Sequence, residues 1–152
     1  MLIRAYREED HAAVVRLVRD VLTEFGFAAH VGGAERDLSA LGERYAGARA
    51  GFWVSEDDDG ALVGSVGIRP KDEHTCELKR LYLRADRRGT GLGQALYAHA
   101  ESFARGAGYG RIWLDSSRRF GRAHRLYERN GFVLRATLDN EWEDNVYDKA
   151  LI

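Results

Sequence analysis

In one segment of this chain, an apolar strand leads through two arginines and three alternating glycines into a helix. It reads Leu81-Tyr82-Leu83-Arg84-Ala85-Asp86-Arg87-Arg88-Gly89-Thr90-Gly91-Leu92-Gly93. Glycines have no Cβ, so their backbone N–H groups can approach an anion closely. The following helix N-terminus adds free N–H donors and partial positive charge, and Arg88 can add charge-assisted hydrogen bonds. The segment therefore predicts a cradle for a pyrophosphate group.

Two well-known phosphate-binding motifs do not fit this spacing. No Gly-Lys-Ser/Thr follows the glycines, which excludes a Walker P-loop. The glycines are spaced Gly-x-Gly-x-Gly rather than Gly-x-Gly-x-x-Gly, which excludes the dinucleotide fingerprint. A glycine triplet before a helix can also be a simple tight turn. From the segment alone, the cradle and the turn both stay open.

Composition limits the class of protein. The 152 residues fit one domain, and 45% hydrophobic with 31% charged residues is enough to build a core. A formal net charge of −1 provides no basic field to collect nucleic acid. The single cysteine, Cys76, excludes an internal disulfide and a multi-cysteine metal site, and it indicates a reducing, cytoplasmic setting. Charges begin at Arg4 and no apolar run approaches about 20 residues, so we expect no signal peptide and no membrane span.

Hydrophobic periodicity predicts the element order β-α-α-β-β-β-α-β-α-β-β, with no internal repeat. Short polar turns between the three middle strands predict an antiparallel meander. The strand–helix–strand unit after them predicts one parallel pair, beside which neighbouring strands can splay. The expected strands lie at 2–6, 51–56, 61–70, 76–84, 111–115, 132–138 and 145–152. The expected helices lie at 8–24, around 38–45, 91–105 and 119–130, with a glycine-rich loop at 25–33.

Two motifs resemble the signatures of the GNAT acetyltransferase superfamily. Arg88-Gly89-Thr90-Gly91-Leu92-Gly93 resembles Arg/Gln-x-x-Gly-x-Gly/Ala, and Ala123-His124-Arg125-Leu126-Tyr127-Glu128-Arg129-Asn130-Gly131-Phe132 resembles Ala-x-x-Leu-Tyr-x-x-x-Gly-Phe. The two occur in the family's order and usual separation, and the element order is similar over nearly the whole chain. The resemblance implies one α/β (α+β) domain over residues 1–152. Its sheet would be mixed, mostly antiparallel and seven-stranded, flanked by four helices and splayed between the fourth and fifth strands.

The resemblance also implies an activity and a co-substrate. The chain would be an N-acetyltransferase that passes the acetyl group of acetyl-CoA directly to a primary amine in a ternary complex, without a metal. The backbone of Leu81 and Leu83 would pair with the pantetheine arm, and an N–H near Leu81 would polarise the thioester carbonyl. The pyrophosphate would lie on the loop formed by Arg88, Gly89, Thr90, Gly91, Leu92 and Gly93.

One position departs from the family pattern. Many members carry an asparagine that contacts the cofactor where this chain has Phe120. Ser116 or Ser117 could replace that contact, and Arg118 or Arg119 could lie near the cofactor phosphates. Solvated basic residues at a helix start are the alternative interpretation of the two arginines.

The resemblance assigns two catalytic candidates. Tyr127 resembles the family's general acid, and a phenol with a pKa of about 10 can share a proton with a leaving thiolate of pKa about 8.5. Its alternative role is a packed core tyrosine. Glu77, six residues before Leu83, matches the base glutamate of the histone-acetyltransferase branch. A surface carboxylate beside Lys79, with a water relay as the base, is the alternative.

The resemblance places the acceptor near Phe25, Phe27 and Trp142. Trp142 lies within the acidic run Asp139-Asn140-Glu141-Trp142-Glu143-Asp144. Aromatic and acidic groups around a cleft suit a cationic amine, so we expect a small amine or aminoacyl acceptor. A solvated hairpin loop is the alternative for this run.

A second class of function is a non-catalytic acyl-CoA-binding sensor on the same fold. It would keep the glycines but would not need Tyr127, so the tyrosine favours the enzyme. Relatives in the family often pair, which makes a homodimer compatible with either function.

Overall fold

A computed structural model describes all 152 residues and shows a seven-stranded sheet in the order β1-β2-β3-β4-β5-β7-β6. The strands are β1 Leu2–Ala5, β2 Gly51–Glu56, β3 Leu62–Pro70, β4 Thr75–Leu83, β5 Arg111–Ser117, β6 Val133–Thr137 and β7 Asp144–Ala150. All neighbours are antiparallel except β4 and β5, which are parallel. The meander and the single parallel pair are thus confirmed, and the turn at Asp57–Gly60 joins β2 to β3 with Gly60 at φ +86°.

The parallel pair separates along its length. β4 and β5 are paired from Thr75↔Arg111 to Glu77↔Trp113, and the pairing stops there. β4 continues to Leu83 and β5 to Ser117 without a ladder between them. The predicted splay is therefore present, and it exposes backbone of both strands toward the same opening.

The helices agree with the predicted order but number five. They are α1 His11–Glu24, α2 Val31–Leu38, α3 Leu41–Arg44, α4 Leu92–Gly106 and α5 Gly121–Arg129. The predicted second helix, around 38–45, corresponds to the short α3, and α2 precedes it in a segment for which no helix is predicted, with a turn at Ser39 and Ala40 between the two. Residues 28–30 form a 3-10 turn and Val31 begins α2, so the segment 25–33 is less of a loop than its glycines suggested. None of the helices has the length and apolarity needed to cross a membrane.

Alternation along the strands creates a core on each face of the sheet. On β2, Phe52 and Val54 pack with α1, α2 and α3, whereas Trp53 faces α4 and α5. The helices thus cover both faces, and α1 and α5 approach the splayed end of β4 and β5 from opposite sides. This leaves the opening lined by both helical layers.

β4 carries an irregularity just before the predicted glycine loop. The register with β3 passes from Gly67↔Lys79 to Ser65↔Tyr82, so two residues of β4 oppose one of β3. Arg80 takes a positive φ of 55° in this bulge, and the Ser65 hydroxyl donates to its carbonyl oxygen at 2.8 Å. A bulge re-aims side chains and leaves a residue out of the ladder.

Candidate active site

One cavity of about 830 Å³ lies between the splayed ends of β4 and β5. Residues 78–83 of β4 and 115–117 of β5 line it, together with the glycine segment and one face of α5. This volume lies within the range of small-molecule sites. The separation of the two strands therefore creates the space that residues of α1, the glycine segment and α5 also line.

The loop from Arg88 to Gly93, the glycine loop, has the conformation that its glycines allow. Gly89 has φ +73° and Gly91 φ +89°, a region that other residues enter only with strain. A Cβ on Gly91 would meet no other atom within 4 Å, and Gly91 is the N-cap of α4. Free helix N–H groups thus face open space, which is the arrangement an anion needs.

Two residues of the glycine loop do not line the cavity. Thr90 is exposed and its hydroxyl donates to the Arg87 carbonyl oxygen at 2.6 Å, which closes the turn. Leu92 is buried in the core beneath α4. If these two residues contact a ligand, they do so through backbone atoms, whereas Arg88, Gly89, Gly91 and Gly93 line the cavity directly.

Arg88 is held in place by groups of its own chain. Its guanidinium pairs with Glu24 at the end of α1 and donates to the Leu83 carbonyl oxygen at 3.2 Å. Its guanidinium carbon also lies 5.1 Å from the centre of the Phe25 ring. The arginine is thus fixed between α1 and β4 at the edge of the glycine loop, with its charge partly balanced by Glu24.

Tyr127 projects from α5 and lines the cavity, although its side chain is almost entirely buried. Burial raises the pKa of its hydroxyl, and a hydrogen bond with Ser116 offsets part of that rise. The phenol is therefore protonated at neutral pH. A buried, protonated hydroxyl on a cavity wall can donate a proton or a hydrogen bond to a ligand.

Glu77 does not line the cavity. It lies on β4 in the part still paired with β5, one residue before the lining begins. Its carboxylate lies 3.2 Å from Lys79 Nζ and 3.6 Å from Arg69 Nε, so it is ion-paired on both sides. Only Lys79 connects it to the cavity, because that residue lies on the wall.

The predicted acceptor aromatics divide into two groups. Phe25 and Trp142 line the cavity, whereas Phe27 is only 1% exposed and packs behind Trp142 with ring centres 5.0 Å apart. Phe120 joins them on the wall, with its ring centre 4.9 Å from that of Phe25 and 6.1 Å from that of Tyr82. The residue that departs from the family pattern thus builds part of an aromatic wall.

Asp115 and Asp144 place two acidic groups on the same wall. Burial raises the pKa of Asp144, and the neighbouring charge of Asp115 raises it further, while Asn140 lowers it. Lys79 Nζ lies 3.7 Å from Asp115. This part of the cavity can therefore bind a cation, in contrast to the glycine loop, which suits an anion.

The arginines that precede α5 are engaged elsewhere. Arg118 donates to the carbonyl oxygens of Leu138 and Asp144, both at 3.0 Å. Arg119 donates to Glu143 at 2.6 Å and to the Phe25 carbonyl oxygen at 2.9 Å. They tie the loop before β7 to α5 and α1, so the suggestion that they lie near cofactor phosphates is not supported. Ser116 and Ser117 both line the cavity.

Comparison with known proteins agrees with the sequence motifs. The model of the acetyltransferase (GNAT) family matches residues 15–132. The N-acetyltransferase YjgM of Escherichia coli is 32% identical over 136 residues, which cover 86% of this chain and 81% of that protein.

Solved structures share the fold. An acetyltransferase of the GNAT family from Staphylococcus aureus superposes with a TM-score of 0.89 at 18% identity, over 99% of both chains. The yncA protein of Salmonella typhimurium, solved with its cofactor acetyl-CoA, has a TM-score of 0.76 at 18% identity, over 100% of this chain and 94% of its own. The family match covers far more than half of the sequence, and the fold, the motifs and the cavity agree with it. The chain belongs to the acetyltransferase (GNAT) family and is an acetyl-CoA-dependent N-acetyltransferase.

Proposed function

We propose that the protein transfers the acetyl group of acetyl-CoA to a primary amine of a small molecule or an aminoacyl acceptor, with both substrates bound in the cavity. The observation that carries this is a single cavity with an anion-binding glycine loop and an acidic, aromatic wall, and with Tyr127 among its lining residues. An acetyl donor with phosphates and an acceptor with an amine are the two ligands that such a pair of surfaces suits.

The groups at the cavity fit the parts of acetyl-CoA. The open space at Gly91 and the free amides of the α4 N-terminus suit the pyrophosphate. β4 beyond Glu77 has no strand beside it on the β5 side, so the backbone of Leu81 and Leu83 is available to pair with an extended arm. The bulge at Arg80 leaves a residue out of the ladder, which supports an N–H near Leu81 as the donor to the thioester carbonyl.

Tyr127 is the proposed general acid. Bound acetyl-CoA supplies an acetyl thioester, whose carbonyl carbon the neutral amine attacks. The carbon–sulfur bond breaks as the carbon–nitrogen bond forms, and the departing sulfur needs a proton. Burial keeps the Tyr127 hydroxyl protonated, so a hydrogen-bond donor is in place as negative charge develops on the sulfur, although the raised pKa lies further from that of a thiol than the pKa of a free phenol does.

Glu77 is the proposed base for the amine, acting through water because its side chain lies outside the cavity wall. Glu77→Gln is expected to lower kcat about tenfold while leaving the Kd of acetyl-CoA unchanged. The matched control is Glu73→Gln, an exposed glutamate in the preceding turn, which should keep the wild-type kcat. Steady-state kinetics and calorimetry on both variants measure these quantities. An unchanged kcat in Glu77→Gln would show that the proton of the amine passes to another group or to solvent.

Asp144 is the proposed anchor for a cationic acceptor. Asp144→Asn is expected to raise the KM of a primary-amine acceptor about tenfold while leaving the KM of acetyl-CoA unchanged, because it removes a partly buried charge. The raised pKa of Asp144 means that its carboxylate is protonated at a higher pH than that of an ordinary aspartate. The wild-type acceptor KM should therefore rise as the pH falls through that pKa.

Thiol release with a panel of small amines and aminoacyl compounds first identifies the acceptor for this measurement. Asp139→Asn is the control, since Asp139 is exposed in the same loop and does not line the cavity. Equal acceptor KM values in both variants would show that the acidic wall does not bind the acceptor. The cytoplasmic setting and pairing with a second copy stay predictions.

A further inference from the structure

Arg80 lines the cavity, and its charge is only partly balanced within the chain. Its side chain is 14% exposed, and its ion pair joins Nη2 to a carboxylate oxygen of Asp37 on α2 at 2.9 Å. The same carboxylate also serves Arg44, whose Nη1 lies 3.3 Å from its other oxygen. Two guanidiniums thus share one carboxylate. Water can solvate Arg44, whose side chain is 45% exposed, so the excess positive charge is felt mainly at Arg80.

The hydrogen-bond donors of Arg80 are also incompletely used. A guanidinium has five N–H donors, but Nε of Arg80 is buried and has no partner. Buried polar groups without partners are uncommon in folded proteins. The Tyr82 side chain, which lines the cavity as well, lies close enough to interact with the guanidinium. These groups together suit a carboxylate, which accepts paired charge-assisted hydrogen bonds from arginine.

The backbone of Arg80 has an unusual conformation that determines where the side chain points. Its φ of 55° lies in a region that residues other than glycine enter at a cost, and such residues are concentrated at functional sites. The Ser65 hydroxyl, donating to the Arg80 carbonyl oxygen, holds the bulge in this shape. The fold thus maintains a costly conformation at the residue that brings a guanidinium to the cavity.

Arg80 lies on the side of the sheet where the acceptor is proposed to bind. Its ion pair with α2 places the guanidinium on the face covered by α1, α2 and α3. Phe25, Phe120 and Trp142 pack against the core on that same face. Leu92 of the glycine loop packs in the core on the opposite face. The free charge of Arg80 is therefore placed for the acceptor and not for the phosphates of acetyl-CoA.

Both signs of charge are present in this part of the cavity. Lys79, the residue before Arg80, is ion-paired with Glu77 and with Asp115, so it is not free to bind a second anion. Asp115 and Asp144 line the wall on the neighbouring strands β5 and β7. A ligand that carries a carboxylate as well as an amine would match the arginine and the acidic wall at once.

We propose that Arg80 binds the carboxylate of the acceptor, and that the acceptor is therefore a free amino acid and not a simple amine or an aminoacyl group. This rests on the proposed function, because it requires that the amine be acetylated in this cavity. A bidentate pair between guanidinium and carboxylate fixes the orientation of the acceptor as well as its affinity. In an aminoacyl group the carboxyl carbon is in an ester or amide linkage and lacks the charge that Arg80 would bind.

The test compares free amino acids with their primary amides as acceptors, because the two compounds share the amine and the side chain. The rate of thiol release at saturating acetyl-CoA gives kcat/KM for each compound. The wild type is expected to favour the acid of its best pair at least about tenfold, and Arg80→Gln should bring this ratio close to one by raising the KM of the acid. Comparing the ratio between proteins cancels the difference in amine basicity between acid and amide.

Arg44→Gln is the matched control, because Arg44 shares Asp37 with Arg80 but does not line the cavity. It should keep the wild-type ratio. Arg80→Lys keeps the charge without the planar fork and should lower the ratio at least about threefold. Calorimetry with acetyl-CoA shows whether each variant is folded, and Arg80→Lys decides by the same criteria if Arg80→Gln does not bind the co-substrate.

Three results would overturn the carboxylate subsite and leave the proposed function standing. The first is equal kcat/KM for acid and amide in the wild type. The second is an unchanged ratio in the Arg80 variants, which would assign the carboxylate to another group. The third is an equal loss on acid and amide, which would mean that Arg80 only shapes β4. A wild type that binds acetyl-CoA but releases no thiol with any amine, amino acid or amide would overturn the proposed function as well.

Discussion

Gly91→Glu is expected to abolish binding of acetyl-CoA, with a loss in affinity of at least about a hundredfold, because like charges forced together cost several kcal/mol. Gly91 is the N-cap of α4 and faces open space, so a carboxylate there would occupy the position of the pyrophosphate. Calorimetry with acetyl-CoA measures the effect.

Two controls separate charge from backbone strain. Any side chain at φ +89° costs about 1–2 kcal/mol, so Gly91→Ala carries the strain without the charge and should lose much less affinity. Gly108→Glu places the same side chain at φ +88°, also in open space but after α4 and outside the cavity, and it should bind acetyl-CoA normally. Retained binding in Gly91→Glu would move the pyrophosphate away from the glycine loop.

Tyr127→Phe is expected to lower kcat by about 10²- to 10⁴-fold while the Kd of acetyl-CoA stays within about threefold of the wild-type value. The substitution removes only the hydroxyl, and the ring keeps its packing against Phe132 at 5.6 Å between ring centres. Because the hydroxyl is protonated at neutral pH, the loss should be the same at pH 7 and pH 8. The rate of thiol release measures kcat, and calorimetry on the same samples measures the Kd of acetyl-CoA.

Tyr147→Phe is the matched control for this substitution. Tyr147 is also buried, with its ring centre 6.1 Å from that of Tyr127, but its hydroxyl donates to Glu128 at 2.8 Å and it does not line the cavity. The Tyr147→Phe variant should keep the wild-type kcat. Unchanged kcat in Tyr127→Phe would exclude Tyr127 as the acid. A wild type that binds acetyl-CoA tightly but releases no thiol with any amine would favour the acyl-CoA sensor.

Most of the fold follows from local patterns in the chain. The alternation of β2, the heptad-like spacing of α1 and the turn at Gly60 depend on neighbours in sequence, so the order of strands and helices could be predicted. The break between α2 and α3 could not, because the apolar spacing from Leu38 to Tyr45 continues across it.

The catalytic assignments depended more strongly on tertiary structure. The offset that pointed to Glu77 counts residues along β4, but the cavity begins only where β5 has separated from that strand. Phe27 and Leu92 lie in the predicted segments, yet their side chains point into the cores on the two faces of the sheet. Next to Leu92, Gly91 and Gly93 line the cavity instead, whereas the neighbours of Phe27 do not.

The arginines of α5 show the converse case. Arg122, Arg125 and Arg129 are spaced three and four residues apart, so a helical projection could have grouped them. Only the folded chain shows that Arg118 and Arg119 are used by loops while these three are unpaired beside the glycine loop.

The glycine loop, the helix that follows it, the tyrosine of α5 and the family can all be predicted from the chain alone, because each depends on residues close together in it. Which of these groups share one cavity is visible only in the folded protein. The splay of β4 from β5 and the bulge at Arg80 set the side-chain directions, and both depend on pairing between strands, which for the splay are separated in sequence by α4.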